Sequence, residues 1–285
     1  MQDKQLTDDE KVLLRKQDTR LVSQFLSEKL EKEAKKHWDL FYKRNETRFY
    51  KDRHWTMREF EELAFLEVGA NGKKYKTLLE VGCGVGNLVL PLLESYPQGK
   101  LFIYACDLSP RAIAQLKADP RYSSQCIMGF ECDITSENIC DTTGMGSVDI
   151  VTLVFTLSAI HPDKLRGVLV NVREALRPGG LVLFRDYGLY DMAQLRFKPG
   201  HKIAHNLYMR QDGTRSYFFS ISYLAELFTK AGFEIISNYY IHRKTVNIKE
   251  ELDVPRIFLQ GKFRKPEEQC CDTSLKVCVC TYVCI

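Results

Sequence analysis

No stretch of this chain supplies the roughly 18 consecutive apolar residues that a membrane-spanning helix requires. The first ten residues, Met1 to Glu10, are acidic and polar, without the basic and apolar regions of a secretory signal or the arginine-rich, acid-poor character of a transit peptide. These absences lead to the expectation of a cytoplasmic protein with no membrane partner, the nucleus being a second location. Net charge is also small: 41 Lys and Arg stand against 37 Asp and Glu, leaving +4, which by itself does not announce nucleic-acid binding. No histidine accompanies the five terminal cysteines Cys270, Cys271, Cys278, Cys280 and Cys284, and their spacings do not form paired zinc knuckles. None of them stands fourth from the end, where a prenylation signal needs it. No metal site is therefore expected. Residues 266–285 are expected to be a disordered or alternative terminus, with opportunistic metal binding or palmitoylation as the lesser reading. Cys83, Cys106, Cys126, Cys132 and Cys140 are expected to act as small free hydrophobes.

What is present is a glycine turn. Leu78-Leu-Glu-Val-Gly-Cys-Gly-Val-Gly-Asn87 runs an apolar strand into Gly82, Gly84 and Gly86, and glycine lets a backbone turn with positive φ and approach a ligand closely. A dinucleotide fingerprint needs glycine at the sixth place, which here is Asn87, and a P-loop needs a following Lys-Ser/Thr, which is missing. The next strand, Leu101–Cys106, ends at Asp107, where an acid can accept both hydroxyls of a ribose. The pattern E/D-x-G-x-G-x-G with that acid is similar to class I methyltransferases, which implies S-adenosylmethionine. Its positive sulfonium tolerates a carboxylate such as Glu80 nearby.

At 285 residues the chain suits one elaborated domain or a domain with an appendage. Strand and helix alternate through the middle, which predicts a six- or seven-stranded, doubly wound, mostly parallel α/β sheet. Strands are expected at Thr77–Val81, Leu101–Cys106, Ile127–Cys132, Val148–Phe155 and Leu181–Arg185, with two late antiparallel strands, Glu234–Val246 and Arg256–Phe263, at the edge. A helix over Asp163–Leu176 is expected to stop at Arg177-Pro-Gly-Gly180. In such a sheet ligands sit at the carboxyl ends of the strands. That places Asp133 for an adenine amino group, with a helix cap or turn as its even alternative, and Val154 beside the adenine ring. His161 is as well explained as a cap ahead of Pro162.

Residues 7–36 present Leu13, Leu14, Leu21, Val22, Phe25, Leu26 and Leu30 at helical spacing, opened by Thr7 and Glu10 as a capping box. Lys35 to Arg58 then interleaves basic residues with Trp38, Phe41, Tyr42, Phe49, Tyr50 and Trp55. Another helix is expected over Thr56–Leu66. The boundaries expected are 1–58 for a helical, basic and aromatic extension, 59–265 for the α/β domain and 266–285 for the tail.

The strings G-C-G-V-G-N, A-C-D-L-S-P-R-A-I, S-A-I-H-P-D-K, L-F-R-D-Y-G-L-Y-D and R-Q-D-G-T-R-S-Y-F-F, with W-D-L-F-Y-K-R-N upstream, resemble the methyltransferase-like enzymes that make 3-methylcytidine in tRNA. The resemblance runs from about Lys35 to Lys265. It implies a Rossmann-like class I fold with an N-terminal helical extension over the cofactor. It further implies Trp38, Tyr42, Gly82, Gly84, Asp107, Asp133, Ile134 and Val154 around S-adenosylmethionine; Trp38 and Tyr42, four apart, would share one helix face. The implied product is 3-methylcytidine at position 32 of the anticodon loop of serine tRNAs, with seryl-tRNA synthetase as a partner and a monomeric enzyme. N3 of cytosine needs no deprotonation, so no obligate general base is assigned. Asp186 is expected to accept the exocyclic amino hydrogen, Tyr190 and Tyr187 to stack or hydrogen-bond, and Arg185 to serve O2 or a phosphate. The segment Arg196–Phe219, with its basic and aromatic residues, is expected to meet RNA. The alternatives are a small-molecule methyltransferase and a non-catalytic protein that binds tRNA or a synthetase.

Overall fold

The computed structural model describes residues 4–64, 75–96, 99–247 and 252–267. The terminal cysteines and the end of the Thr56–Leu66 helix lie outside the described residues. In chain order the elements are α1 (Asp8–Asp18), α2 (Gln24–Lys32), α3 (Ala34–Asn45), α4 (Thr56–Glu59), α5 (Glu61–Ala64), β1 (Lys76–Val81), α6 (Val89–Glu94), β2 (Leu101–Asp107), α7 (Pro110–Ala118), β3 (Ile127–Glu131) and α8 (Cys140–Thr143). They continue with β4 (Val148–Val154), α9 (Pro162–Ala175), β5 (Leu176–Tyr187), α10 (Met192–Leu195), β6 (Lys202–Ala204), β7 (Leu207–Met209), β8 (Arg215–Tyr217), α11 (Ile221–Lys230), β9 (Glu234–Asn247) and β10 (Leu252–Arg264).

Seven strands form one sheet in the order β3-β2-β1-β4-β5-β10-β9. All neighbours are parallel except β10, which runs antiparallel to both β5 and β9. The near-continuous apolar strands have the cause expected of them, burial on both faces. Along β4, Val151 and Leu153 enter one core while Ile150 and Val154 enter the other. Strand order reverses between β1 and β4, which opens a crevice at their carboxyl ends.

Two expectations change. The helix before β5 ends at Ala175, and Arg177-Pro-Gly-Gly180 belongs to the strand. Between the pairs Val148–Leu176 and Ile150–Leu181 the register shifts, so this stretch is an irregularity within pairing rather than a helix stop. The aromatics of the segment expected to meet RNA pack inward: Tyr208, Tyr217, Phe218 and Phe219 are buried, β6, β7 and β8 form a small antiparallel sheet, and Arg196, Lys198 and His205 stay exposed. Tyr208 stacks on Phe197 with centroids 4.7 Å apart.

The N-terminal helices dock on that small sheet. The capping box at Thr7 and Glu10 is present. Ser23 caps α2 and breaks the expected single helical run. Buried Gln17 donates to the Gln194 carbonyl at 2.9 Å and accepts from the Tyr208 hydroxyl at 2.9 Å. A buried amide satisfied on both sides fixes one orientation of α1.

Candidate functional site

The turn after β1 is shaped by its contacts with β2. Gly82 and Cys83 both donate to the Cys106 carbonyl, at 2.8 and 3.0 Å. Gly84 has φ of +55° and donates its N–H to Asp107 Oδ2 at 2.9 Å, while Ser109 N–H donates to Oδ1 at 2.9 Å. Each carboxylate oxygen thus keeps a lone pair for a ligand. A Cβ on Gly84 would stand 2.6 Å from the Tyr42 hydroxyl, and one on Gly82 would stand 2.6 Å from Thr156 Cγ2. Gly84→Ala is therefore expected to weaken cofactor binding about tenfold through φ strain and displacement of Tyr42. Adding Tyr42→Phe should recover part of that loss. Equal affinities for Gly84→Ala with and without the second change, by titration calorimetry, would refute the steric account.

Two acids of opposite fate lie beneath the turn. Burial pushes the Asp107 carboxyl up to about 6, against the pull of the Ser109, Gly84 and Leu108 backbone donors. Burial pushes Glu80 further, to about 8; Arg53 opposes this and Asp107 adds to it. Glu80 Oε2 has no hydrogen-bond partner among the described residues, and Arg53 Nη1 stands 4.0 Å from Oε1. At neutral pH Glu80 is largely protonated, so the anionic character that the sequence suggested for it resides in Asp107.

One cavity is lined by Gly82, Gly84, Asp107, Asp133 and Ile134 from the sheet and by Trp38 and Tyr42 from α3. Trp38 and Tyr42 share a helix face with ring centroids 6.2 Å apart. Helix α3 is held there because Asp39 accepts from Ser109 Oγ at 3.0 Å and from Arg111 N–H at 3.2 Å. Asp133 makes both a turn and a cavity wall: its Oδ1 accepts from Thr135 N–H and Oγ1, at 3.0 and 2.7 Å, and Oδ2 makes no bond to the described protein. Glu31, on the cavity rim, bridges Lys164 at 2.5 Å and Arg215. Burial would raise the Glu31 carboxyl, but these two cations outweigh it and hold it below its ordinary value.

Val154, expected beside the adenine ring, and the expected acceptor-side residues lie elsewhere. Val154 is 1% exposed and meets the site only through its carbonyl, which accepts from Arg53 Nη1 at 3.0 Å; Phe155 and Thr156 line the cavity in its place. Arg185 is not free for a base or phosphate. It lies 3% exposed, pairs with Glu59, donates Nε to Gln260 Oε1 at 2.8 Å and covers the Trp55 ring at 4.6 Å. Asp186 is fully buried. Its oxygens take Ser158 N–H at 2.9 Å and Tyr187 N–H at 2.8 Å, so it braces the cavity-lining loop after β4 and does not face the cavity. Burial pushes its carboxyl up to about 6, opposed by Ser158 and Tyr187. Tyr190 has φ of +62° and donates its N–H to Gln194 Oε1 at 2.7 Å; it too is outside the cavity lining. His161 both lines the cavity and caps α9, Nδ1 accepting from Asp163 N–H at 3.4 Å.

Tyr50, Arg53, Phe155 and Thr156 line the cavity without having been singled out for it. For Arg53 a signal existed: Glu80, inside an apolar strand, needs either a polar partner or a proton. Phe155 gave none, because its φ of +58° is invisible in an apolar run.

The donor set fits S-adenosylmethionine. Asp107 keeps an acceptor on each oxygen for the ribose diol, Asp133 keeps Oδ2 for an amino group, and Trp38, Tyr42 and Ile134 supply apolar walls. Among the described residues no helix is long and apolar enough to cross a membrane, and no group of three potential metal ligands gathers.

Comparison with known proteins gives concordant results. The profile of a methyltransferase domain matches residues 42–238. The chain is 57% identical over 259 residues to the tRNA N(3)-cytidine methyltransferase METTL6 of Mus musculus, covering 91% of this chain and 90% of that one. It is 55% identical over 261 residues to that of Homo sapiens, covering 92% and 90%. It is 43% identical over 247 residues to the tRNA N(3)-methylcytidine methyltransferase trm141 of Schizosaccharomyces pombe, covering 86% and 97%. Among solved structures, a SAM-dependent methyltransferase from Anabaena variabilis superposes with a TM-score of 0.58 at 13% identity, covering 81% of this chain and 94% of that one. That likeness is one of fold.

Proposed function

This chain belongs to the tRNA N(3)-cytidine methyltransferase family of S-adenosylmethionine-dependent enzymes, and on that premise we propose that its acceptor is N3 of cytidine 32 in the anticodon loop of serine tRNAs. The fold is the Rossmann-like class I sheet, the cofactor is S-adenosylmethionine, and the substrate is tRNA. The observation that carries the proposal is the cavity itself. It joins a ribose acceptor, Asp107, to aromatic walls from the N-terminal helices, and exposed Lys43, Arg44, Arg48 and Lys51 stand on the same extension.

When bound, S-adenosylmethionine supplies an electrophilic methyl group on a positive sulfonium. Trp38, Tyr42, Gly82, Gly84, Asp107, Asp133 and Ile134 hold it. N3 of cytosine offers an in-plane lone pair, so the protein must unpair the base and set it in line, and removes no proton. Phe155 and Tyr187, 5.2 Å apart, form the wall against which a flipped base can stack. Asp186 positions that wall through Ser158 and Tyr187. Arg185 lies 6.0 Å from the Phe258 ring, which packs edge-on against Phe155 at 5.4 Å.

The enzyme acts as a monomer in cytoplasm and nucleus and is aided by seryl-tRNA synthetase. Recombinant protein with labelled S-adenosylmethionine is expected to form 3-methylcytidine in serine tRNA, read by nucleoside mass spectrometry, and to form more when the synthetase is added. Methylation confined to other tRNAs, or none in serine tRNA with the synthetase present, would overturn the assignment. Unchanged activity after reversing the charges of Lys43, Arg44 and Arg48 would favour a small-molecule acceptor.

A further inference from the structure

Four guanidiniums surround one aromatic wall. Arg53 stands 5.4 Å from the Phe155 ring, Arg185 6.0 Å and Arg256 5.0 Å from that of Phe258, and Arg210 5.4 Å from that of Tyr187. Two of them pair with carboxylates, Glu59 for Arg185 and Asp191 for Arg256, while Arg53 donates to the Val154 carbonyl at 3.0 Å with Glu80 4.0 Å away. Arg210 has none in ion-pair contact among the described residues. Its polar neighbours are hydroxyls, Ser216 Oγ at 3.3 Å and those of Tyr187 and Tyr50. Asp212 acts on it only at longer range, as does the braced Asp186. A partly buried cation without a contacting anion is unfavourable unless a partner arrives.

Its position says where that partner comes from. Arg210 does not line the cofactor cavity, whereas Tyr50, which faces it, does. The anion therefore belongs to the acceptor side. The Arg210 backbone is also held, donating to Thr214 O at 2.8 Å and accepting from Gly213 N–H at 3.1 Å, and its Nη2 donates to Ser216 Oγ at 3.3 Å. The same turn is clamped from α3, where His37 Nδ1 lies 3.3 Å from the Asp212 carbonyl. A fixed guanidinium fork beside an aromatic wall matches a phosphodiester, and phosphate contacts set the register of a nucleic acid.

We infer that Arg210 is an anion subsite for the phosphodiester adjoining the target cytidine, holding the backbone while the base enters beside Phe155 and Tyr187. This rests on the RNA substrate proposed above. The test uses serine tRNA carrying an uncharged methylphosphonate at either linkage of the target cytidine, with wild-type protein, Arg210→Gln and Arg210→Lys. On unmodified tRNA, Arg210→Gln should raise KM about tenfold or more and Arg210→Lys less. Affinity for S-adenosylmethionine should stay within about twofold of wild type. One methylphosphonate should cost wild-type enzyme the same factor and cost Arg210→Gln nothing further. Losses that multiply at both linkages on an active enzyme overturn the subsite alone, and so does weaker cofactor binding, which would assign the anion to the methionine carboxylate. The methylphosphonate arm with wild-type protein decides the matter even where a variant folds poorly: no loss at either linkage sinks the subsite. No 3-methylcytidine from wild-type enzyme on unmodified tRNA sinks the function itself.

Discussion

Asp107→Ala is expected to raise the Kd for S-adenosylmethionine by about 100-fold or more and to abolish measurable methylation. Two hydrogen bonds from a ribose diol to a charged acceptor are lost, each contributing roughly 1.5–3 kcal/mol. The Gly84 and Ser109 N–H groups, now bonded at 2.9 Å, lose their acceptor as well, so the glycine turn loosens. Asp107→Asn keeps the shape but turns an NH₂ toward one of those donors, and is expected to fall between the two.

The pH dependence has a definite sign. Burial raises this carboxyl from 3.8 to about 6, so the folded protein holds the proton more tightly than the unfolded chain does. Ionising the buried group therefore lowers stability as pH climbs from the ordinary carboxylate value through about 6, with the full penalty above it. Cofactor binding runs the other way, because the ionised form accepts both hydroxyls: affinity strengthens as pH rises through about 6 and then levels. Calorimetric titration between about pH 5 and about pH 8 reads this directly. A flat Kd in wild type that persists in Asp107→Ala would remove Asp107 from the site.

Arg185→Ala is expected to destabilise the protein by about 3–5 kcal/mol, the range for breaking a buried ion pair. The melting temperature should fall by roughly 10 °C. The residue sits between Glu59, Gln260 and the Trp55 ring, so its loss strands a carboxylate that is 9% exposed and retains only Arg243 at 2.5 Å and outlying Arg58 at 3.5 Å. Burial would raise Glu59, but Arg243 and Arg185 outweigh it and keep it below the ordinary carboxylate value. Removing Glu59 as well should return part of the lost stability. Cofactor affinity of the folded variant at low temperature should be near wild type. An unchanged melting temperature with a large rise in KM for tRNA would instead make Arg185 a substrate contact.

The contrast between Asp107 and Arg185 marks the boundary of what a sequence can say. Both are charged residues near the carboxyl end of a predicted strand. The glycine turn, Asp107 and the strand-helix alternation were legible because they are local. Positive φ selects glycine at Gly82 and Gly84, a strand buried on both faces must be apolar, and a capping box needs only Thr7 and Glu10. That Trp38 and Tyr42 share one helix face was legible for the same reason, four residues being about one helical turn; their place beside the cofactor came from the family resemblance.

Tertiary structure alone decided which way the polar groups turn. Arg185 faces Gln260 and Glu59, brought beside it by the antiparallel insertion of β10 next to β5. Asp186 turns to Ser158 because parallel pairing sets β4 beside β5. The mixture of basic and aromatic residues between Arg196 and Phe219 is compatible with either an RNA surface or a packed small sheet. Its aromatics take the second course because α1 and α2 arrive to cover the small sheet, through Gln17 on Tyr208 and Glu31 on Arg215, while Arg196, Lys198 and His205 stay exposed. Local chemistry determined the cofactor turn; long-range register decided which charges were consumed by the fold and left Arg210 without an ion-pair partner among the described residues.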